Sequence, residues 1–209
     1  MKRSQLSTRS RVLAYAQRQP DGALLRANEL LTFGSRAAVD QALARLAREG
    51  ALLRIARGVY ARPVEGRFGT RAPSEDTVLA AWGAARGEVV APAPLAAANA
   101  LGLTTQNPVR SVYITSGPSR DLTLGSRTIE LRHAPSWLVN APATRAGAIL
   151  RAGAWLGRDR AADGLTHIVT ALDATEHSAL RHAVAGAPTW LANAILRPPT
   201  TTSQRSEGA

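Results

Sequence analysis

Histidine is the side chain best placed to move protons or bind a metal near neutral pH, and this chain has four: His133, His167, His177 and His182. Metal ligands that share a helix face sit three or four residues apart. His177 and His182 are five apart, and Glu176 adds only a loose cluster, so these histidines read as structural or solvent-facing. Glu75 and Asp76 could form an acid pair. They directly follow Ser74, however, and carboxylates in the first turn after an N-cap serine are the ordinary partners of a helix dipole. The chain has no cysteine, which removes thiolate nucleophiles, disulfides and cysteine-ligated metals. Neither a dinucleotide-binding nor a P-loop glycine pattern occurs, Gly-x-Ser-x-Gly is absent, and Gly117-Pro118-Ser119 reads as a hairpin turn. The sole lysine, Lys2, lies in the leader, which disfavours a Mg²⁺ nuclease that pairs acids with a catalytic lysine. The chain is therefore expected not to be an enzyme, with no cofactor and no metal.

The chemistry that remains is the recognition of negative charge. Twenty-six basic residues against fifteen acidic ones give a net charge of +11, and the sequence pI is near 11.5. A balance of this kind favours a polyanion, nucleic acid first. Every basic residue but Lys2 is arginine, and a GC-rich genome accounts for that choice of cation. It accounts for neither the excess nor the placement. Up to Arg71, fourteen basic residues against five acidic ones leave +9, and twelve against ten thereafter leave +2. Two parts with different partners are implied.

The elements that would hold these arginines are legible. A helix over 9–19 stops at the turn Pro20-Asp21-Gly22, and a short apolar element follows at 27–31. Gly34 permits a tight turn, and Ser35 caps a helix running to Glu49 that Gly50 stops. At 100° per residue, Val39, Leu43, Leu46 and Ala47 fall within a sector of roughly 100°, the stripe a packed helix buries. Ala37, Ala38, Gln41, Arg45 and Arg48 face the other way. Two β-prone runs, 52–56 and 59–62, flank Arg57-Gly58 and predict a two-stranded wing. Short helices around a tight turn, followed by a hairpin, make a winged helix-turn-helix over 1–63.

The stretch 64–74, with Gly66, Gly69 and Pro73 among charged and small residues, reads as a linker. Beyond it, 75–196 reads as a larger α+β domain, and the tail 197–209 as disordered. Helices are expected at 75–86, 94–101, 143–156, 164–172, 175–184 and 188–196. Strands are expected at 88–90, 109–115, 122–124 and 128–132, the last three forming a small antiparallel sheet. All four tryptophans, Trp82, Trp137, Trp155 and Trp190, lie in this part. Core burial is the ordinary use of so large an apolar ring. Trp137 and Trp190, beside proline or small residues near turns, are the candidates for anchoring a partner protein.

At 209 residues the chain suffices for one large domain or two small ones, and 45% hydrophobic residues support a core. No apolar run reaches the roughly 18 residues of a membrane-spanning helix, and the N-terminus lacks a signal-peptide pattern. A soluble, cytoplasmic protein without membrane contact is expected.

The run SRAAVDQALARLAREGALLRIARGVYARP, followed by PAPLAAANALGLTTQNP and VRSVYITSG, resembles the AbiEi-type antitoxins of type IV toxin–antitoxin systems and the transcriptional regulators grouped with them. The resemblance covers about half the chain and is weak beyond Pro135. It implies a winged helix that binds inverted repeats in the promoter of its own operon, and a C-terminal domain that counters a nucleotidyltransferase-like toxin, without requiring a stable complex with it. Carried over, the DNA-reading helix is 35–49 and the wing 52–62. Some members carry a nuclease-like C-terminal domain, and the missing lysine argues against one here.

On this reading Arg36 and Arg45 reach phosphates or guanine edges, Gln41 pairs with adenine, and Ala38 touches a thymine methyl. Arg54 and Arg57 on the wing, with Arg9 and Arg11 ahead of the first helix, grip phosphates. Arg48 belongs to the same exposed face or is simply solvated. One winged helix buries little DNA, so a homodimer on a repeat is expected. The rival reading keeps the winged helix as a module for an acidic protein or an RNA, without operator specificity.

Overall fold

The computed structural model describes residues 6–67, 69–106 and 109–197. In chain order its elements are α1 (Thr8–Gln17), β1 (Leu24–Arg26), a 3₁₀ turn (Leu31–Phe33), α2 (Arg36–Arg48), β2 (Leu53–Ala56), β3 (Val59–Ala61), β4 (Val64–Gly66), β5 (Gly69–Arg71), α3 (Glu75–Arg86), β6 (Val90–Pro92), α4 (Pro94–Ala100), β7 (Ser111–Thr115), β8 (Arg120–Leu124), β9 (Arg127–His133), a second 3₁₀ turn (Ser136–Val139), α5 (Arg145–Leu156), α6 (Ala161–Thr170), α7 (Ala174–Ala183) and α8 (Thr189–Leu196). The class is α+β, with small antiparallel sheets. Among the described residues no helix is long and apolar enough to cross a membrane.

Two compact units emerge, Met1–Val90 with Gly117–Arg132, and Ala91–Ser116 with His133–Ala209. The division therefore does not fall at 64–74. That stretch is ordered as a hairpin, with Val64 opposite Arg71 and Gly66 opposite Gly69, and α3 continues the first unit. Residues 117–132 also leave the C-terminal part, because β8 lies beside β2. The turn at Gly117-Pro118 marks the passage into the first unit and does not close a hairpin. β8 takes β9 as its antiparallel partner, with Leu122 opposite Ile129.

In the first unit α1 starts where the Ser7 hydroxyl accepts the Ser10 N–H at 3.1 Å. Ser35 caps α2 by accepting from the Ala38 N–H at 3.4 Å, and Gly50, at φ +75°, ends the element where a β-carbon would be strained. Ser35→Ala is expected to cost about 1 kcal/mol, read as a lower urea midpoint at unchanged slope. Val12, Ala16, Leu25, Leu30, Val39, Leu43, Leu46 and Leu52 form one buried cluster, which fixes which face of α2 points outward. The three-stranded sheet runs β1-β3-β2, with Leu24 opposite Ala61 and Arg54 opposite Tyr60. Central β3 is buried along its whole length, as a strand paired on both edges should be. β1 is absent from the sequence expectation, which placed its short element at 27–31.

In the second unit β6 and β7 are neighbouring strands, and Ala91, Ile114, Ala134 and Val139 pack together. The main core is helical: Ile149, Leu150, Leu165, Val169, Leu180, Leu191 and Ile195 cluster around α5. Residues 140–142 close tightly over the start of α5. Thr144 caps it by accepting from the Gly147 N–H at 3.1 Å, and its hydroxyl donates to the Ala141 carbonyl at 3.1 Å. Arg151, 1% exposed, donates to the carbonyls of Asn140 at 3.2 Å and Pro142 at 2.9 Å. Burial lowers its guanidinium to about 10, so it is a cation at neutral pH, held by carbonyl dipoles. The tail beyond Arg197 lies outside the described residues.

Candidate nucleic-acid interface

The outward face of α2 follows from its inward one. Val39, Ala42, Leu43 and Leu46 are buried, which leaves Ala37, Gln41, Ala44, Arg45 and Arg48 exposed along one side. The two alanines keep the helix surface low between the longer polar side chains. Such a face can approach a groove floor while Gln41 and Arg45 reach beyond the backbone. Ala38, at the margin of the stripe, is half-buried, and Ser35 is exposed at its start.

Not every sequence-selected cation is at liberty. Arg36 donates from Nε to Asp40 at 2.8 Å and from Nη1 to the Asn28 side-chain oxygen at 2.8 Å, so much of its donor fork is used within the protein. The Asp40 partner is four residues on and could have been read from the helix spacing. Arg9, half-buried, is engaged by Glu49, an acid forty positions away that no local pattern would reveal. By contrast, the side chains of Arg11, Arg45, Arg48, Arg54 and Arg57 are exposed and form no ion pair or hydrogen bond among the described residues. Arg57 sits at the β2–β3 turn, where Gly58 at φ +71° allows the two-residue reversal.

The other candidates resolve differently. Trp137 and Trp190 are half-buried, each with part of its ring against the helical core of the second unit, and the Arg158 guanidinium lies 5.9 Å from the Trp190 centroid. Neither is a freely projecting anchor. Glu176 belongs to a capping box with Asp173 and pairs with Arg145 at 3.0 Å, which accounts for it without a metal. Among the described residues no group of three or more histidine or acidic side chains could hold one. Glu75 lies 3.5 Å from Arg127 in the first turn of α3, a partner for helix dipole and cation alike.

Sequence reasoning passed over a further group in the first unit. Arg26, Asn28, Arg36, Arg57, Arg86 and Glu88 line an open cleft of about 490 Å³. Its members come from β1, α2, the β2–β3 turn and α3, and no spacing in the chain announces them.

No curated protein matches the chain. A solved structure, that of the RV2827C protein from Mycobacterium tuberculosis, is similar over 90% of this chain and 76% of its own, at 18% identity and a TM-score of 0.49. A family model described as a family of unknown function, DUF6088, matches residues 11–179. With so much of its length matched, the chain belongs to the DUF6088 family.

Proposed function

We propose that the first unit is a winged helix that reads double-stranded DNA through α2, and that the protein represses its own operon as the antitoxin of a type IV, AbiEi-like system. The observation that carries the reading is the exposed stripe of α2, where Gln41, Arg45 and Arg48 stand clear of any ion pair among the described residues. Supporting it is the element order: helix, strand, 3₁₀ turn, helix and hairpin, in a sheet ordered β1-β3-β2. A second helix packed against the first, with its polar face outward, is the arrangement in which helix-turn-helix readers set the second helix in the major groove. Arg54 and Arg57 then meet the backbone beside the groove, and Arg11, on the first turn of α1, meets it too. Two copies would occupy an inverted repeat. The protein performs no catalysis on this reading, and its second unit counters a nucleotidyltransferase-like toxin.

Gel retardation with the region upstream of its own gene, competed by bulk DNA and by RNA, tests the first half. Retention that survives bulk DNA is expected. Equal displacement by any duplex or by RNA would replace the operator reader with a general polyanion or protein-interaction module. For the second half, expression of an adjacent nucleotidyltransferase-like gene should arrest growth, and co-expression of this chain should restore it. Arrest that persists would remove the antitoxin role and leave the regulator.

A further inference from the structure

The 490 Å³ cleft of the first unit has the size of a small-molecule site, roughly 300–1,000 Å³, but not its lining. Such sites are mostly apolar, and here the wall is arginine. Arg26, Arg36, Arg57 and Arg86 face it, against the single carboxylate of Glu88. That carboxylate is already taken: Arg120 pairs with it at 3.1 Å and the Trp82 Nε1–H donates to it at 3.4 Å. Gly117 makes the arrangement possible, since a β-carbon there would fall 2.3 Å from the Glu88 carboxyl carbon.

The cations are also held in place. The Arg86 guanidinium lies over the Trp82 ring, 4.2 Å from its centroid, a cation–π contact that holds it with no acid needed. Arg26 donates to Glu29 at 2.8 Å and to the Ala85 carbonyl at 2.8 Å. Arg36 is oriented by Asp40 and Asn28, which leaves its Nη2 without a partner among the described residues. Counting Arg120, five guanidiniums meet three carboxylates, Glu29, Asp40 and Glu88. The side chain of Arg57 has no partner among the described residues. An ordered cationic concavity suits a phosphate. It offers no aromatic face on which a base could stack and no glycine-rich loop to wrap a nucleotide.

The geometry points to this cleft as a seat for a backbone phosphate of the duplex that α2 reads, with Arg86 and Arg57 as its principal donors. The assignment rests on the DNA-reading proposal and extends it to α3. Arg36 lines the cleft and opens α2 next to Ala37 of the exposed stripe, and Arg57 lines it from the β2–β3 turn, so one strand can run from the groove face across it. A contact of this kind sets position and register and carries no sequence information.

Two variants test it, Asn28→Asp and Arg86→Gln. The first is isosteric, still accepts from Arg36, and adds one negative charge to the wall without disturbing the core. Affinity for the upstream duplex and for a scrambled duplex is measured by fluorescence anisotropy across a salt series. Losing one phosphate contact should lower the log–log salt slope by about 0.9 and weaken both duplexes about eightfold at 0.1 M salt relative to a 1 M reference. Their ratio should not change. If wild-type affinity and slope persist in Asn28→Asp, whatever Arg86→Gln does, the cleft holds no phosphate, while the loss in an Arg45→Ala control keeps the α2 reading alive. A change confined to the upstream duplex would make the cleft a base reader and overturn the assignment. If the wild-type protein binds neither duplex, the reading of α2 falls and the cleft falls with it.

Discussion

Replacing Gln41 and Arg45 together by alanine is expected to weaken binding to the operator on the order of a thousandfold. The two positions are one helical turn apart on the exposed stripe of α2, and each bidentate base contact is worth about 1–3 kcal/mol of discrimination. Two contacts at the middle of that range give about 4 kcal/mol, and 1.36 kcal/mol is tenfold. A scrambled duplex should lose far less, about tenfold or under, because only the phosphate share of the Arg45 contribution is removed. Stability is the control. Both residues are solvent-facing, and alanine is the best helix former, so the unfolding free energy should stay within about 0.5 kcal/mol of wild type. Equal losses on both duplexes would take these residues out of base reading and leave them as backbone contacts.

Among the described glycines, Gly147→Ala should be the most damaging change to alanine. An alanine β-carbon at this position would lie 2.0 Å from the Ala141 carbonyl oxygen and 2.9 Å from that of Asn140, both backbone atoms. Neither can step aside cheaply. Ala141 already sits at φ +46°, a conformation unfavourable to a residue with a β-carbon, and the carbonyls of Asn140 and Pro142 solvate the buried Arg151. Moving the loop would strip partners from a desolvated cation, and staying put would hold a severe clash. A loss of about 3 kcal/mol or more follows, beyond the usual range for overpacking because the obstruction is main chain. Chemical denaturation monitored by tryptophan fluorescence checks it, since Trp137 and Trp155 both pack against the core that α5 organises. A stability within 1 kcal/mol of wild type would show that the loop has a second, equally good position.

The parts of this molecule that could be read from the chain are those dictated by neighbours in sequence. α3 matches its expected span of 75–86, because Ser74 caps it, two acids follow, and Gly87 in the left-handed region stops it. The outward face of α2 follows from 3.6-residue periodicity alone. What escaped was set by distant partners. β1 is three residues without alternation, and it becomes a strand only because Tyr60 and Ala61 lie alongside. The 64–74 stretch reads as linker from its glycines, yet Val64 and Arg71 pair across them. The same division applies to function. The polar stripe was legible, whereas the compensation of Arg9 by Glu49 and the assembly of Arg26, Arg57 and Arg86 around one cleft depend on tertiary structure.

The chain passes between its two units three times, at Val90, at Ser116 and at Arg132. No single protease cut can therefore release either unit whole. A fragment ending at Val90 would carry α2 and the wing but would leave β2 without the hairpin that lies beside it. During synthesis the amino-terminal unit must wait, incomplete, until Arg132 has cleared the ribosome, by which time β6, α4 and β7 of the other unit have already emerged.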